Sequence, residues 1–323
     1  MRVTVLGAGT MGAGIARSAA AAGHEVALRD IEESRVADGL ADIEATLEEG
    51  VARGAVTEAE RTAALDRITG TTSLSEAAGG AALVIEAVPE DADLKRDVLG
   101  AAESHVAADA VLASNTSALS VTGLASALER PERLLGLHFF NPVHVMELVE
   151  VVVAERTSEA TLATAREFVD SLGKTAVEVR DSPGFASSRL GVALGAEAIR
   201  MYETGVAGVA DIDAAMELGY DHPMGPLELT DLIGLDVRLD VLEHLREELG
   251  ERFRPPQALK RKVRAGKLGK KTGEGFYVWE DGEAVRPADE PSPAADETPG
   301  SDDETPRTND ETPGSADGAG GGR

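Results

Sequence analysis

The chain opens on a short apolar run, Val3-Thr4-Val5-Leu6, that breaks at once into Gly7-Ala8-Gly9-Thr10-Met11-Gly12-Ala13-Gly14. An Ala-rich helical stretch follows over residues 10–22, Gly23-His24 makes a turn, and residues 25–30 read as a second strand ending in Asp30. Residues 31–53 and 58–65 are helical in pattern. Strand-like runs then alternate with helical ones, at 67–71, 83–88, 110–114 and 133–139, and two later strands at 146–153 and 175–179 flank a helix at 158–172. Alternation of this kind predicts a parallel, doubly wound sheet.

The character changes at the breaker cluster Asp181-Ser182-Pro183-Gly184. Beyond it the pattern is helical over 185–203, 211–218, 227–233, 236–248 and 257–265, and the aromatic run Gly275-Phe276-Tyr277-Val278-Trp279 is expected to dock back as a strand. From Asp281 the chain turns to Pro, Asp, Glu, Gly, Thr and Ser, with Asp-Glu-Thr-Pro recurring at 296–299, 303–306 and 310–313. So few apolar residues cannot offset the entropy of ordering, which predicts disorder. The expected fold is an α/β Rossmann-type doubly wound sheet over 1–181, an all-α C-terminal domain over 182–280 and a disordered acidic tail over 281–323.

Charge narrows the partners. The 58 acidic residues against 31 basic ones give a formal charge of −27, a field that repels phosphate backbones and anionic lipid. Nucleic-acid and membrane binding are not expected. The excess is not a property of the tail alone, since residues 1–280 hold 46 acids and 28 bases, and only seven residues are lysine. Acidity with arginine chosen over lysine points to a high-salt cytoplasm, where screening tolerates self-repulsion; an ordinary acidic protein is the plainer alternative. No apolar stretch approaches the ~20 residues of a membrane span, and the strand starting at Arg2 leaves no room for a leader. With no cysteine, disulfides, thiolate metal sites and cysteine nucleophiles drop out. A cytoplasmic protein without a metal site is expected.

Gly7-X-Gly9-X-X-Gly12, between a first strand and a helix start, is the dinucleotide fingerprint. The glycines let pyrophosphate approach the backbone at a helix N-terminus, so Gly7, Ala8, Gly9, Thr10, Met11 and Gly12 become candidate cofactor contacts. Asp30 falls where a carboxylate accepts from the adenosine ribose and repels a 2′-phosphate, favouring NAD over NADP. Arg29 is the objection, and strand alternation is expected to point it away from Asp30's face. FAD shares the fingerprint, but nothing downstream resembles a flavin site.

Of the six histidines, His24 falls in a turn, His105 and His244 on polar helix faces, and His144 and His222 in loops near prolines. His138 differs. It closes an apolar strand and leads into Phe139-Phe140-Asn141-Pro142, and residues beyond strand carboxyl ends line the ligand crevice of such sheets. Two other strands end in Ser114-Asn115-Thr116-Ser117 and Glu86-Ala87-Val88-Pro89-Glu90. Glu150, in the next strand, is placed for a hairpin-like return behind the imidazole, where a carboxylate fixes the tautomer and stabilises the imidazolium.

These segments together resemble the short-chain 3-hydroxyacyl-CoA dehydrogenases, including the 3-hydroxybutyryl-CoA dehydrogenases, over about residues 1–280. The motifs are GAGTMGAGIA at 7–16, EAVPED at 86–91, SNTSAL at 114–119, HFFNPVHVMELVEVV at 138–152, DSPGF at 181–185, PMGPLEL at 223–229 and GKKTGEGFY at 269–277. The resemblance implies NAD as cofactor, an acyl-CoA substrate between the two domains and a homodimer formed by the helical one. It implies His138 as catalytic base and Glu150 as its partner, with Ser117 and Asn141 contacting the reacting oxygen and the nicotinamide. Glu90, Lys95 and Lys271 match positions near NAD, and Thr46 and Arg53 match positions for CoA. One departure is Ser188, where the family generally has an asparagine, which shortens the reach toward substrate. The implied reaction is reversible oxidation of an L-3-hydroxyacyl-CoA, such as 3-hydroxybutyryl-CoA, by NAD. The alternatives are a related dehydrogenase acting on a non-CoA, gulonate-like acid, and a catalytically silent NAD-binding protein.

Overall fold

A computed structural model describes residues 1–289. Its main sheet comprises β1 (Arg2–Leu6), β2 (Glu25–Arg29), β3 (Ile68–Thr71), β4 (Leu83–Glu86), β5 (Val111–Ser114), β6 (Leu134–Phe139), β7 (Leu148–Val153) and β8 (Thr175–Arg180), in the order β3-β2-β1-β4-β5-β6-β7-β8. The first six strands are parallel, and the side chains of β4, β5 and β6 are all buried, which explains their unbroken apolar runs. The sheet is mostly parallel, as the alternation predicts, and the return expected of the strand that carries Glu150 is present. β7 returns antiparallel to β6 after the short loop 140–147, and β8 runs parallel to β7. No helix intervenes between β6 and β7, so no crossover forces them parallel.

Helices α1 (Thr10–Ala21), α2 (Glu33–Ala52), α3 (Glu58–Leu65), α4 (Leu74–Ala78), α5 (Ala92–Glu103), α6 (Val121–Ala125) and α7 (Glu159–Ser171) cover the two faces. Strand periodicity decides which face each serves. Val3 and Val5 pack in one core with Ile15 of α1, Ile43 of α2 and Phe168 of α7, while Leu6 and Val84 pack in another with Leu99 of α5 and Leu124 of α6. Side chains of Thr57, Ser73, Asp91, Ser120 and Ser158 cap α3 to α7. α1 and α2 lack a side-chain cap, and the N-cap of α1 is Gly9.

The helical half comprises α8 (Ser187–Glu203), α9 (Val209–Tyr220), α10 (Pro226–Ile233), α11 (Leu235–Leu249) and α12 (Gln257–Arg264) around a third core that includes Val192, Ile212, Leu242 and Phe276. Two buried carboxylates hold the aromatic run at 276–279 to it. Asp231 accepts from the Phe276 and Tyr277 N–H groups at 2.9 and 2.8 Å and from Trp279 Nε1 at 3.1 Å. A Cβ on Gly275 would stand 2.1 Å from Asp231 Oδ1, so only glycine lets the strand approach. Asp213 accepts from Leu227 N, Glu228 N and the Tyr277 hydroxyl.

The aromatic run becomes β9 (Tyr277–Glu280), which pairs with β10 (Glu283–Pro287). Order therefore extends past Asp281, where the tail was expected to start. Asp281 and Gly282 both take positive φ, 49° and 85°, and form a two-residue hairpin turn. The rest of the expected tail, 290–323, lies outside the described residues.

Candidate active site

The crevice is built where strand order reverses around β1, at the carboxyl ends of β1, β4, β5 and β6. Gly7 takes φ 108°, and a Cβ there would lie 2.6 Å from the Ala87 carbonyl oxygen; a Cβ on Gly12 would stand 1.8 Å from the Gly7 oxygen. Gly9 has open space where its Cβ would be. The loop thus leaves the first turn of α1, with its unpaired N–H groups, clear for an anion. Gly7, Gly9, Thr10 and Met11 line a cavity of about 460 Å³ whose far wall includes Asp30 and Val88. Asp30 accepts from Ala8 N at 2.8 Å and from Ile31 N at 2.7 Å, which fixes its carboxylate at the loop. These residues fit a dinucleotide.

Arg29 and Arg35 are both among the residues that line the cavity with Asp30; the Arg29 carbonyl accepts from Gly7 N at 2.8 Å, and its Nε donates to the Thr72 carbonyl at 3.2 Å. Asp30 lies one residue past the end of β2, where the alternation that was to separate the two side chains no longer holds.

His138 and Glu150 are directly opposed in the antiparallel β6–β7 pair, so both side chains stand on one face. His138 Nδ1 lies 2.8 Å from Glu150 Oε2, with both side chains buried. The rings of Phe140 and Phe185 flank the imidazole at centroid distances of 4.4 and 5.7 Å. Glu150 is further held from the helical half: Ala186 N and Ser187 N donate to Oε1 at 3.0 and 2.8 Å, and Ser187 Oγ donates to Oε2 at 2.8 Å. Burial raises the Glu150 pKa, but the His138 and Ser187 hydrogen bonds outweigh it and bring the group down to about 2. A permanently ionised carboxylate thus sits on Nδ1, leaving Nε2 to exchange a proton with a substrate.

The segment after β5 is anchored by Glu90, whose Oε1 accepts from Thr116 Oγ1, from Ser117 N at 2.9 Å and from Ala118 N at 3.1 Å. Ser117 is exposed, its Oγ 3.4 Å from the same oxygen. Asn115 Oδ1 accepts from Phe139 N at 2.9 Å, joining the β5 and β6 ends. Lys95 is wholly buried, with Nζ 2.8 Å from Glu86 Oε1, 3.0 Å from the Val88 carbonyl and 3.2 Å from Glu90 Oε2. Its ammonium is therefore consumed by protein groups and reaches the crevice through Glu90. Burial pushes the Glu86 carboxyl up against the pull of Lys95. At Glu90 desolvation loses to Lys95 and to the Thr116 and Ser117 hydrogen bonds, which hold it below its ordinary value.

A second cavity, of about 270 Å³, lies between α1, α2 and the loop after β6, and its lining includes Thr46, Asn141 and His144. Asn141 is exposed at its mouth. Thr46 Oγ1 donates to the Asp42 carbonyl at 2.6 Å, and Arg53, at the end of α2, pairs with Glu49 at 2.5 Å. Arg53 does not line this cavity, and two further residues named from sequence stand apart. Lys271 pairs with Asp236 at the start of α11 and lines neither cavity. Ser188 is half-buried in the first turn of α8, and its neighbour Ser187 is the one that touches Glu150.

Sequence reasoning missed Ser187, Arg35 and Arg17, the last a buried side chain on the wall of the second cavity. None belongs to a motif of its own, and only the register of α8 on β7 brings out the first. His24, read as a turn residue, is buried and bonded to the Met1 amino group and to Ser171 Oγ at 2.7 Å. That makes it structural.

Comparison with known proteins agrees with this geometry. Residues 2–182 match the family of the 3-hydroxyacyl-CoA dehydrogenase NAD binding domain, and residues 184–279 match that of the 3-hydroxyacyl-CoA dehydrogenase C-terminal domain. A 3-hydroxybutyryl-CoA dehydrogenase of Mycobacterium tuberculosis is 46% identical over 281 residues, 86% of this chain and 98% of the relative. One from Bradyrhizobium diazoefficiens is 43% identical over 285 residues, 88% of this chain and 97% of the relative. The crystal structure of (S)-3-hydroxybutyryl-CoA dehydrogenase from Ralstonia eutropha superimposes with a TM-score of 0.83 at 40% identity, covering 86% of this chain and 99% of that one. With both halves matched in order and NAD as the cofactor of the first, the chain belongs to the 3-hydroxyacyl-CoA dehydrogenase family.

Proposed function

We propose that the chain reversibly oxidises an L-3-hydroxyacyl-CoA, such as 3-hydroxybutyryl-CoA, to the 3-ketoacyl-CoA, with His138 as general base. The observation that carries this reading is the His138–Glu150 pair, a buried imidazole with one nitrogen tied to an ionised carboxylate. Bound NAD supplies the acceptor for the hydride that leaves C3. His138 Nε2 takes the 3-hydroxyl proton, and Glu150 stabilises the imidazolium that forms. Ser117 and Asn141, exposed beyond the ends of β5 and β6, hold the oxygen that changes between alcohol and ketone. Thr46, on the wall of the second cavity, and Arg53, just past the end of α2, receive the CoA moiety.

The test is NADH consumption in molar KCl with acetoacetyl-CoA, longer ketoacyl-CoA thioesters and free acetoacetate. Turnover of a thioester well above the free acid supports the reading. Preference for the free acid, or no turnover of any, contradicts it.

The same proposal includes a homodimer working in a salt-rich cytoplasm. Leu190, Val206, Leu218, Tyr220, Ile233 and Val237 are large apolar side chains exposed on or beside α8 to α11, and cover by a second copy is what supports the dimer. Sedimentation giving a monomer at micromolar concentration in molar salt would remove the dimer from the account.

A further inference from the structure

Phe185 is a bulky residue held at φ 48°, directly after Gly184 at φ 73°. A left-handed backbone is unfavourable for an aromatic residue, and it persists only where the surroundings fix it. Three sets of contacts do so. Phe185 is buried in the core that includes Leu134 and Val152, and its N–H donates to the Ser182 carbonyl at 2.8 Å. Upstream, Asp181 Oδ2 accepts from Ser120 Oγ at 2.8 Å and from Thr122 N at 2.7 Å, which ties the start of the turn to α6. Downstream, Arg189 reaches back over the turn from the start of α8. Its Nε and Nη2 donate to the Pro183 carbonyl at 3.0 and 2.7 Å, and Nη2 donates to Ser182 Oγ at 2.6 Å.

What the turn delivers is a direction of the backbone. The next two residues, Ala186 and Ser187, donate their N–H groups to Glu150 Oε1. They open α8, a helix of 17 residues whose N-cap, Ala186, has no side chain able to cap it. Glu150 fills that place from β7, where unpaired amides and the positive end of the helix favour an anion. The Phe185 ring stands 5.7 Å from that of His138. A turn relaxed to ordinary φ would carry both amides off Glu150 and shift the ring beside the imidazole, because all of them hang on consecutive peptide units. Arg189 bonds to neither His138 nor Glu150 among the described residues. Its effect on the pair passes through the turn.

We propose that Arg189 is a positioning residue of the reaction: by closing the turn over residues 182–185 it keeps the Ala186 and Ser187 N–H groups on Glu150, and so keeps Glu150 in place against His138. This rests on the reading of His138 and Glu150 given above. A guanidinium suits the task because its rigid fork serves a carbonyl and a hydroxyl together, where an ammonium is a compact point charge on a flexible stem. The side chain acts on the geometry of the base and not on the binding of either substrate.

The experiment compares the wild-type enzyme, Arg189→Gln and Arg189→Lys in the reduction of acetoacetyl-CoA by NADH, with the downfield proton NMR spectrum of each. For Arg189→Gln, kcat should fall by about ten- to a hundredfold, the cost of a slight misplacement of a reacting group, with KM for both substrates as in the wild type. The resonance of the His138 Nδ1 proton shared with Glu150, downfield of the amide protons, should move or vanish. Arg189→Lys should recover part of both. A merely structural arginine would lower the thermal midpoint and leave kcat of the folded enzyme and the resonance unchanged, and that result overturns the proposal. So does a fall in kcat with the resonance in place. Where Arg189→Gln does not fold, Ser182→Ala removes one of the guanidinium's bonds and should show a smaller loss of the same kind; wild-type kcat and an unmoved resonance in that variant overturn the proposal. A wild type that reduces no thioester, with a resonance that Arg189→Gln still displaces, would sink the acyl-CoA reading and leave the positioning role standing.

Discussion

Ser187 donates twice to Glu150, from its backbone N–H to Oε1 and from its hydroxyl to Oε2, each at 2.8 Å. The first turn of α8 is thereby tied to the carboxylate that also holds His138, and the hydroxyl competes with the imidazole for one oxygen. The consequence is a weaker grip of Glu150 on the imidazolium than an undivided carboxylate would have.

Ser187→Ala should therefore leave Oε2 wholly to the imidazole and strengthen its hold on the imidazolium. Oxidation of the hydroxyacyl substrate needs neutral His138, so the acid limb of kcat/KM should move to higher pH, by up to roughly 1 unit, the equivalent of one ordinary hydrogen bond. Glu150 itself, at about 2, stays ionised across that range. A limb that stays in place, or moves to lower pH, contradicts the shared-oxygen account.

Asp30 stands between cofactor preference and two arginines. With Arg29 and Arg35 on the same cavity wall, Asp30→Ala removes the repulsion of a 2′-phosphate and leaves two cations to attract it. The ratio of kcat/KM for NAD over NADP should fall by about tenfold or more, about 1.4 kcal/mol. An unchanged ratio would place the discriminating group elsewhere.

Lys95 neutralises a buried carboxylate. Lys95→Met leaves Glu86 without a counter-charge and should cost about 3–5 kcal/mol of stability, measured by urea unfolding at neutral pH. Adding Glu86→Gln should restore part of that, because the amide keeps an acceptor without the charge. Unchanged unfolding of the single variant would mean that the pair is not a buried one.

The acidity of residues 1–289 should make them salt-dependent without the tail. Residues 1–289 carry 49 acids and 29 bases, and like charges interact over about 30 Å at 0.01 M salt against about 3 Å at 1 M. A chain ending at Asp289 should lose thermal stability and activity in dilute buffer and regain both in molar KCl. Equal behaviour across that range would end the high-salt reading.

Much of the site was legible because its parts are contiguous or lie on neighbouring strands. Strand, glycine loop and helix follow one another within residues 2–21, and His138 and Glu150 lie 12 residues apart on strands that pair. Ser187 was not legible, since its contact spans 37 residues and depends on how α8 sits over β7. Arg17 hid on an Ala-rich helix, where one polar residue reads as a solvated face until α2 covers it. β10 was lost in a stretch of acids and prolines, although Asp281-Gly282 is a hairpin signal. The placing of Arg29 against Asp30 was not legible for a local reason, because alternation ends with the strand at Arg29 and does not reach Asp30.

The central claim is that His138 moves the proton at the reacting oxygen. The direct measurement is turnover of acetoacetyl-CoA and NADH by His138→Gln in molar KCl, alongside fluorescence titration of NADH binding to the same protein. Turnover should fall by about 10²–10⁴-fold while NADH affinity stays as in the wild type. Near-normal turnover by the variant would contradict the assignment, and with it the role given to Glu150.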